Sequence, residues 1–385
     1  RQGHPQGTAH AVLQALPHLE ANTQCLILLG DVPLVGAEIC LDLIHQAQTG
    51  LAVATFTASN PSGYGRIVRN DVHQLIAIVE ERDATPEQRS IQEVNSGIIA
   101  TLSHHLHNWL PQIKADNAQG EYYLTDIIKL AVAERLPVST RHSQQAWRLH
   151  GINTLADLAR QERAYQFDIA SNLLMQGVRI HDPQRIEVRG ILRCGKDVSI
   201  DVNCVFEGDV QLGDGVHIAA HCVIKNAVIA KGTRILPFTH IDGATIGQDA
   251  RIGPYARLRP DSQLGDCVHI GNFVEIKNSQ IGETTKINHL SYIGDATIGR
   301  MVNIGAGVIT CNYDGANKYK TIIKDHVFIG SDVQLIAPLT IEEYAYVGTG
   351  SVLTKNAPAH ALTLCRSREQ RTISNWLRPV KKEQG

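Results

Sequence analysis

The stretch IGQDARIGPYARLRPDSQLGDCVHIGNFVEI, residues 246–276, decides the fold of more than half of this chain. An aliphatic residue recurs at every sixth position: Ile246, Ile252, Leu258, Leu264, Ile270 and Ile276. A period of six fits neither the 3.6-residue repeat of a helix nor the two-residue alternation of a strand. It is the hexapeptide repeat of a parallel β-helix, in which each hexad gives one short strand and one turn and the aliphatic side chain points inward.

The same period extends in both directions, from Ile200 to Leu353. A few steps, such as Ile224 to Ile229, are one residue short, which a corner of the coil can absorb because the next aliphatic residue still points inward. The step from Ile304 to Ile323 is much longer and contains the polar segment 310–320. We expect this segment to leave the coil as a projecting loop, and long loops on rigid scaffolds commonly carry function.

Length and composition exclude several classes of protein. The chain has 385 residues, which suggests two domains, and 36 basic against 38 acidic residues argue against a dedicated nucleic-acid binder. The sequence contains no run of 18 apolar residues, so it predicts no membrane span, and no signal peptide is recognised. The eight cysteines lack any C-x-x-C spacing, which favours reduced thiols of a cytoplasmic protein.

The first 150 residues alternate strand and helix patterns. The apolar runs Cys25–Leu29 and Leu51–Phe56 are typical of strands buried on both faces of a parallel sheet. The sequence therefore predicts an α/β domain over residues 1–153, a linker helix over 154–176, and a β-helix with a C-terminal tail over 177–385.

Two residues are the main candidates for chemistry. Asp31 follows a predicted buried strand, where a carboxylate can bind Mg²⁺ beside phosphate oxygens; the alternative is a simple turn cap before Pro33. His289 comes two positions after the inward-pointing Ile287, so we expect it at the coil surface, where it can act as a general base or have no role.

Other charged and histidine-rich segments are secondary candidates. Arg257, Arg259 and Lys277 in earlier coils are predicted to form a basic wall suited to phosphate. We expect His104, His105 and His107 to lie in a solvated loop. Zinc bound between subunits is a further alternative, although the sequence offers no clear set of ligands.

Seven motifs occur in an order that resembles one protein family. They are LGDVPL at 29–34, GYGRI at 63–67, QGEYYLTD at 119–126, RLRP at 257–260, GNFVEIK at 271–277, NIGAG at 303–307 and TCNYDG at 310–315. Together with the hexapeptide half, they resemble the bacterial bifunctional N-acetylglucosamine-1-phosphate uridyltransferase / glucosamine-1-phosphate acetyltransferase family, GlmU. The similarity spans essentially all of the chain.

The resemblance implies a fold and a pair of reactions. The fold is a Rossmann-like nucleotidyltransferase domain followed by a left-handed parallel β-helix, assembled as a cytoplasmic homotrimer. The β-helix would acetylate glucosamine 1-phosphate with acetyl-CoA. The first domain would then transfer UMP from UTP to N-acetylglucosamine 1-phosphate with Mg²⁺, which completes UDP-N-acetylglucosamine for peptidoglycan and lipopolysaccharide.

The resemblance also implies roles for individual residues of the β-helix. His289 would be the catalytic base, and the projecting loop would complete a neighbouring subunit's site. The sugar phosphate would be bound by Arg259, Lys277, Tyr292 and Asn303. Acetyl-CoA would contact Ala306, Asn312, Tyr313, Ser331, Thr349 and Arg366. Thr349 stands where some relatives have Ala.

In the first domain, the resemblance implies that Asp31 and Asn153 bind Mg²⁺. The nucleotide-sugar pocket would be formed by Gln2, Gly7, Thr8, Leu29, Gly30, Asp31, Gly65, Glu80, Asn95 and Asn153.

The chain departs from the family pattern at its start. The family opens with a strand, a Gly-rich nucleotide loop carrying an Arg, and a phosphate-binding Lys, none of which precedes Arg1 here. We therefore expect an N-terminally incomplete uridyltransferase domain, retained acetyl transfer and lost or impaired uridylyl transfer.

Two other functions compete with this interpretation. One is a sugar-phosphate nucleotidyltransferase with a different sugar and a β-helix used only for assembly. The other is a β-helix scaffold that only trimerises, for which His289→Ala would change no activity.

Overall fold

The computed structural model describes residues 4–365, which form two compact units: residues up to 164 and residues from 165 onward. The residues Gln2 and Arg366 lie outside the described part.

The first unit is an α/β domain around one mixed sheet. Its strands are β1 (Gln24–Ile27), β2 (Leu51–Thr57), β3 (Arg66–Arg69), β4 (Leu75–Val79), β5 (Glu93–Leu102) and β6 (Val138–Ser143). Its helices are α1 (Thr8–Leu13), α2 (Ala37–Gln46), α3 (Pro86–Arg89), α4 (Ser103–Trp109) and α5 (Ile127–Ala133), with 3₁₀ turns at Leu16–His18, Leu110–Gln112, Leu124–Asp126 and Ala146–Leu149.

The sheet has the order β4-β3-β5-β2-β6, with β1 also paired to β5. Strand β5 runs antiparallel to β1, β2 and β3, and the pair of β2 with β6 is parallel. The prediction of a parallel sheet was therefore wrong for β1, which pairs only with β5 among the described strands. Leu28, just beyond the end of β1, is 49% exposed. For β2 the predicted burial was right, since its first six residues are buried, but β2 is parallel only to β6 and antiparallel to β5.

A long helix, α6 (Leu155–Met175), crosses from residues of the first unit to those of the second. Its later half packs against the start of the β-helix, where Ala170 and Leu173 join the hydrophobic core. The Gln166 side chain accepts a hydrogen bond from the backbone N–H of Val188 (2.8 Å) and donates one to the carbonyl of the same residue (3.0 Å).

The second unit is a parallel β-solenoid, which confirms the predicted fold class. Its first sheet contains Lys286–His289 and is called the His289 sheet. Among the described residues this sheet has eleven strands: Arg179–Ile180, Ser199–Ile200, His217–Ile218, Arg234–Ile235, Arg251–Ile252, His269–Asn272, Lys286–His289, Asn303–Ile304, Phe328–Ile329, Tyr346–Val347 and Leu362–Thr363.

The other sheet bends around a corner of the coil. Its first three strands, Ile186–Cys194, Cys204–Leu212 and Val223–Ile229, run across that corner. One face beyond them, called the Lys277 face, holds His240–Asp242, Arg257–Leu258, Glu275–Lys277, Tyr292–Gly294, Ile309–Cys311, Gln334–Ile336 and Val352–Leu353. The last face holds Ala244–Ile246, Ser262–Leu264, Gln280–Ile281, Ala296–Ile298, Thr321–Ile323 and Leu339–Ile341.

The hexad residues form one continuous core. Ile252, Ile270 and Ile287 pair in register on neighbouring strands, and each is fully buried. The column continues through Ile304 to Ile329, across the long step in the sequence. The extra residues of that coil, 313–320, are all exposed, so they form the predicted projecting loop. The predicted segment began too early, because Thr310 and Cys311 belong to a strand of the coil.

Candidate active sites

His289 lies at the surface of the solenoid, at the end of its strand. The inward Ile287 fixes the register of that strand, and Asn272 is the in-register neighbour of His289 on the preceding coil. The Nδ1 atom of His289 lies 3.0 Å from Oδ1 of Asn272. With the amide in this orientation Nδ1 carries the proton, which leaves Nε2 as the free basic nitrogen.

Three of the predicted acetyl-CoA residues follow His289 along the same edge of the His289 sheet. Ile287, Ile304, Ile329 and Val347 pair in register, and His289, Ala306, Ser331 and Thr349 each come two residues later. The N–H of Ala306 donates no hydrogen bond to any residue in 4–365, whereas its carbonyl accepts one from the N–H of Asp332 (2.7 Å). A free N–H one coil from the base is suited to a developing oxyanion. Asn303 lies at the start of the next strand.

The predicted sugar-phosphate residues Arg259, Lys277 and Tyr292 lie around the neighbouring Lys277 face. The predicted basic wall is only partly right, because Glu275 lies within it. A carboxylate oxygen of Glu275 is 2.9 Å from Arg259 and another is 3.6 Å from Arg257. The residues predicted to act in acetyl transfer thus lie on two faces of the solenoid. His289 lies on the His289 sheet, whereas Lys277 lies on the Lys277 face.

The projecting loop brings a further cation to the Lys277 face. The Lys318 ammonium beside Lys277 lowers the pKa of Lys277, and Arg259 acts in the same direction. The loop is anchored at its base by Asn312, whose side chain donates a hydrogen bond to Asp295, and by a bridge between Tyr313 and Lys318. Tyr313 itself is 61% exposed. Three cations close together favour an anionic ligand.

A large pocket of about 810 Å³ opens in the first unit. Seven of the residues predicted for the nucleotide-sugar pocket line it: Thr8, Leu29, Asp31, Gly65, Glu80, Asn95 and Asn153. Gly7 and Gly30 are chain neighbours of lining residues. Gly7 has a φ of 114°, and a side chain there would meet the backbone of Tyr122 at 2.5 Å, so this position needs glycine.

The predicted metal residues Asp31 and Asn153 converge beside Gly151. A Cβ atom at Gly151 would lie 3.4 Å from Oδ2 of Asp31 and 3.6 Å from Nδ2 of Asn153. The two loops are joined by a hydrogen bond from the N–H of Ile152 to the carbonyl of Asp31 (2.8 Å). One carboxylate, one amide oxygen and substrate phosphates fit Mg²⁺, which takes few protein ligands. Residues 4–365 contain no cluster of three His, Cys, Asp or Glu side chains able to bind a metal.

Glu80 is a partly buried carboxylate that lines the pocket. Burial raises its pKa, while a hydrogen bond from the Thr125 hydroxyl (2.9 Å) acts in the opposite direction. Gly65 leaves room for this carboxylate, since a Cβ there would lie 2.8 Å from Ile78 and 3.2 Å from Glu80.

Sequence reasoning missed several residues of both sites. Asn272, Tyr64 and Thr125 all lie within motifs that the sequence analysis had quoted, so the motifs themselves were the available signal. Lys318 lies in the projecting loop, and only the fold brings it to Lys277. The histidine cluster was placed wrongly, because His104, His105 and His107 lie in α4 and His105 is buried by stacking on Trp109 at 4.7 Å.

Comparison with known proteins agrees with these features along the whole chain. The chain is 53% identical to the bifunctional protein GlmU of Cupriavidus pinatubonensis over 377 residues, which cover 98% of this chain and 83% of that protein. It is 54% identical to the bifunctional protein GlmU of Aromatoleum aromaticum over 381 residues, with the same coverage. The chain belongs to the bifunctional GlmU family.

Membership of the GlmU family makes the chain a bifunctional transferase, as the motifs predicted. Residues 188–272 also match the family model described as the GMPPB C-terminal domain. Among solved structures, the chain is similar to a Francisella novicida UDP-N-acetylglucosamine acyltransferase, with 18% identity, a TM-score of 0.36, and coverage of 48% of this chain and 66% of that one. No helix in residues 4–365 is long and apolar enough to cross a membrane.

Proposed function

We propose that the solenoid transfers the acetyl group of acetyl-CoA to glucosamine 1-phosphate with His289 as the general base. The observation that carries this proposal is the 3.0 Å contact between Nδ1 of His289 and Oδ1 of Asn272, which leaves Nε2 free. Nε2 takes a proton from the sugar amine as its nitrogen attacks the thioester carbonyl. The C–S bond then breaks, Nε2 gives the proton to the departing sulfur, and the thiol of CoA leaves, which gives N-acetylglucosamine 1-phosphate.

The neighbouring residues supply binding and charge stabilisation. Ala306, Ser331 and Thr349 continue the edge beyond His289 and form a track for the pantetheine arm, and the Ala306 N–H faces the developing oxyanion. Asn312 and Tyr313 would contact acetyl-CoA from the loop. Arg259 and Lys277, supported by Lys318, would bind the sugar phosphate, with Tyr292 and Asn303 on the sugar.

The division of these residues between two faces supports a homotrimeric assembly. In one chain, His289 and Ala306 belong to the His289 sheet, whereas Lys277 belongs to a separate face. A shared site between subunits would bring the His289 sheet of one subunit against the loop and the Lys277 face of the next. We place this assembly in the cytoplasm, where both substrates are available.

The pocket of the first unit is proposed to hold UTP and N-acetylglucosamine 1-phosphate for uridylyl transfer. Asp31 and Asn153 would hold Mg²⁺, which supplies charge neutralisation of the phosphates when bound. Gly65 and Glu80 would position the sugar, and Thr8 and Asn95 would line the nucleotide-sugar pocket.

The substrate specificity of the solenoid tests this proposal. The purified chain is incubated with acetyl-CoA and either glucosamine 1-phosphate or glucosamine, and the products are detected by mass spectrometry. We expect N-acetylglucosamine 1-phosphate to form at least about tenfold faster than N-acetylglucosamine, because only the phosphate ester reaches Arg259 and Lys277. Absence of product from a folded chain would favour a solenoid used only for assembly.

A further inference from the structure

Five basic residues form a column on the His289 sheet. The residues His217, Arg234, Arg251, His269 and Lys286 occupy equivalent positions on neighbouring strands, in strict register. Neighbouring strands lie about 4.8 Å apart, and like charges directly opposite each other destabilise a sheet. The directly opposed guanidinium groups of Arg234 and Arg251 are therefore unfavourable unless an anion neutralises them.

The chain does not supply that anion within the described residues. The side chains of Arg234, Arg251 and Lys286 make no ion pair or side-chain hydrogen bond with any residue in 4–365. Arg257 and Arg259, on the other face, both contact Glu275. The cations of the column are therefore free to bind a ligand.

The column borders a cavity. A hollow of about 240 Å³ is lined by Arg251, His269, Asn272 and His289, with Gly253 and Gly271 among its other lining residues. Burial and the cations Arg251 and Lys286 lower the pKa of His269, so near pH 7 the ring is a neutral hydrogen-bond donor. A guanidinium and an imidazole N–H facing one hollow form a pair of donors for a tetrahedral oxyanion.

We propose that this cavity is an anion subsite in which Arg251 and His269 bind a phosphate group. It is distinct from the Arg259 and Lys277 pair that the proposed function uses. The subsite therefore either competes with that pair for the single phosphate of glucosamine 1-phosphate or binds free inorganic phosphate beside His289.

Binding of inorganic phosphate to the 385-residue chain tests the subsite directly. Titration by calorimetry compares the unchanged chain with Arg251→Gln, His269→Gln and the matched control Arg234→Gln. Arg234 belongs to the same column but does not line the cavity. We expect Arg251→Gln to weaken binding at least about tenfold, His269→Gln to weaken it severalfold, and Arg234→Gln to change it less than about twofold.

Kinetics then distinguish the two sources. If the subsite takes the substrate's phosphate, Arg251→Gln raises the KM for glucosamine 1-phosphate and leaves the KM for acetyl-CoA unchanged. If it takes free phosphate, both KM values are unchanged and inhibition by added phosphate is lost.

The proposal is overturned if phosphate affinity survives Arg251→Gln, or if Arg234→Gln lowers it equally, because general electrostatic attraction then explains binding. Circular dichroism confirms that each variant is folded. The calorimetric result does not depend on acetyl transfer, so it stands even for a chain without that activity.

Discussion

At the scale of single residues, the contact between His289 and Asn272 sets the chemistry of the solenoid. Replacement of Asn272 by Leu removes the acceptor for the Nδ1 proton and frees the ring to rotate. We expect kcat for acetyl transfer to fall about tenfold, the value of a lost hydrogen bond, with little change in the KM for acetyl-CoA. Steady-state kinetics measure both constants.

Asn272→Asp is the informative companion variant because a carboxylate still accepts the Nδ1 proton. We expect it to retain most of the activity that Asn272→Leu loses. Equal loss in both variants would mean that Asn272 does not act by accepting a hydrogen bond from His289.

The Glu80 carboxylate is expected to lower the stability of the first unit near neutral pH while it contributes to binding of UDP-N-acetylglucosamine. Burial raises the pKa of this carboxyl, so the folded chain binds its proton more tightly than the unfolded chain. The free energy of unfolding therefore falls as pH rises from the usual range of a glutamate through the raised pKa. Glu80→Gln removes this loss and keeps an acceptor for the Thr125 hydroxyl.

We expect Glu80→Gln to raise the unfolding temperature of the first unit at pH 7 by a few degrees, with a smaller gain at pH 4.5. The same change should weaken binding of UDP-N-acetylglucosamine. Differential scanning calorimetry at the two pH values measures the first effect. An equal shift at both values would show that the carboxylate charge is not responsible.

At the scale of elements, the loop of residues 312–320 is separable from the coil that carries it. The core column passes from Ile304 to Ile329 without a gap, and residues 313–320 are exposed. We expect replacement of residues 313–319 by a short Gly-Ser turn to leave the thermal unfolding of the solenoid nearly unchanged while acetyl transfer falls at least about 100-fold. Large destabilisation would show that the loop holds the coil together.

Some strands and helices could be predicted from the sequence and others could not. The hexad period predicted the solenoid because one inward position per strand, as at Ile252 and Ile270, is required in every coil. The prediction of a parallel sheet failed at β1, which pairs antiparallel with β5, since an apolar run does not reveal which strands pair. His105 was missed because the helical face that buries it against Trp109 contains few apolar residues.

The residues of the two candidate active sites could also be predicted only in part. The motifs located the pocket that Asp31, Glu80 and Asn153 line. They could not place Glu275 among the basic residues of the Lys277 face, or Lys318 beside Lys277, because these neighbours are set by coil register and loop geometry.

At the scale of the whole molecule, the two units have separate hydrophobic cores. A change confined to one unit should leave the chemistry of the other unit intact.

We expect Asp31→Asn to weaken Mg²⁺-dependent binding of UDP-N-acetylglucosamine at least about tenfold, because one charged ligand is lost, while acetyl transfer stays within about twofold. Calorimetry with and without Mg²⁺ measures binding, and the exposed Asp71→Asn is the control. Equal binding by both variants would remove Asp31 from the metal site.

The central claim is that His289 is the base of an acetyltransferase. The most direct measurement is release of the CoA thiol from acetyl-CoA on addition of glucosamine 1-phosphate, compared between the unchanged chain, His289→Ala and the control His240→Ala. His240 is an exposed solenoid histidine on the Lys277 face. We predict sugar-dependent release that falls at least about 100-fold in His289→Ala and is retained in His240→Ala. Full activity in a folded His289→Ala variant would contradict the account.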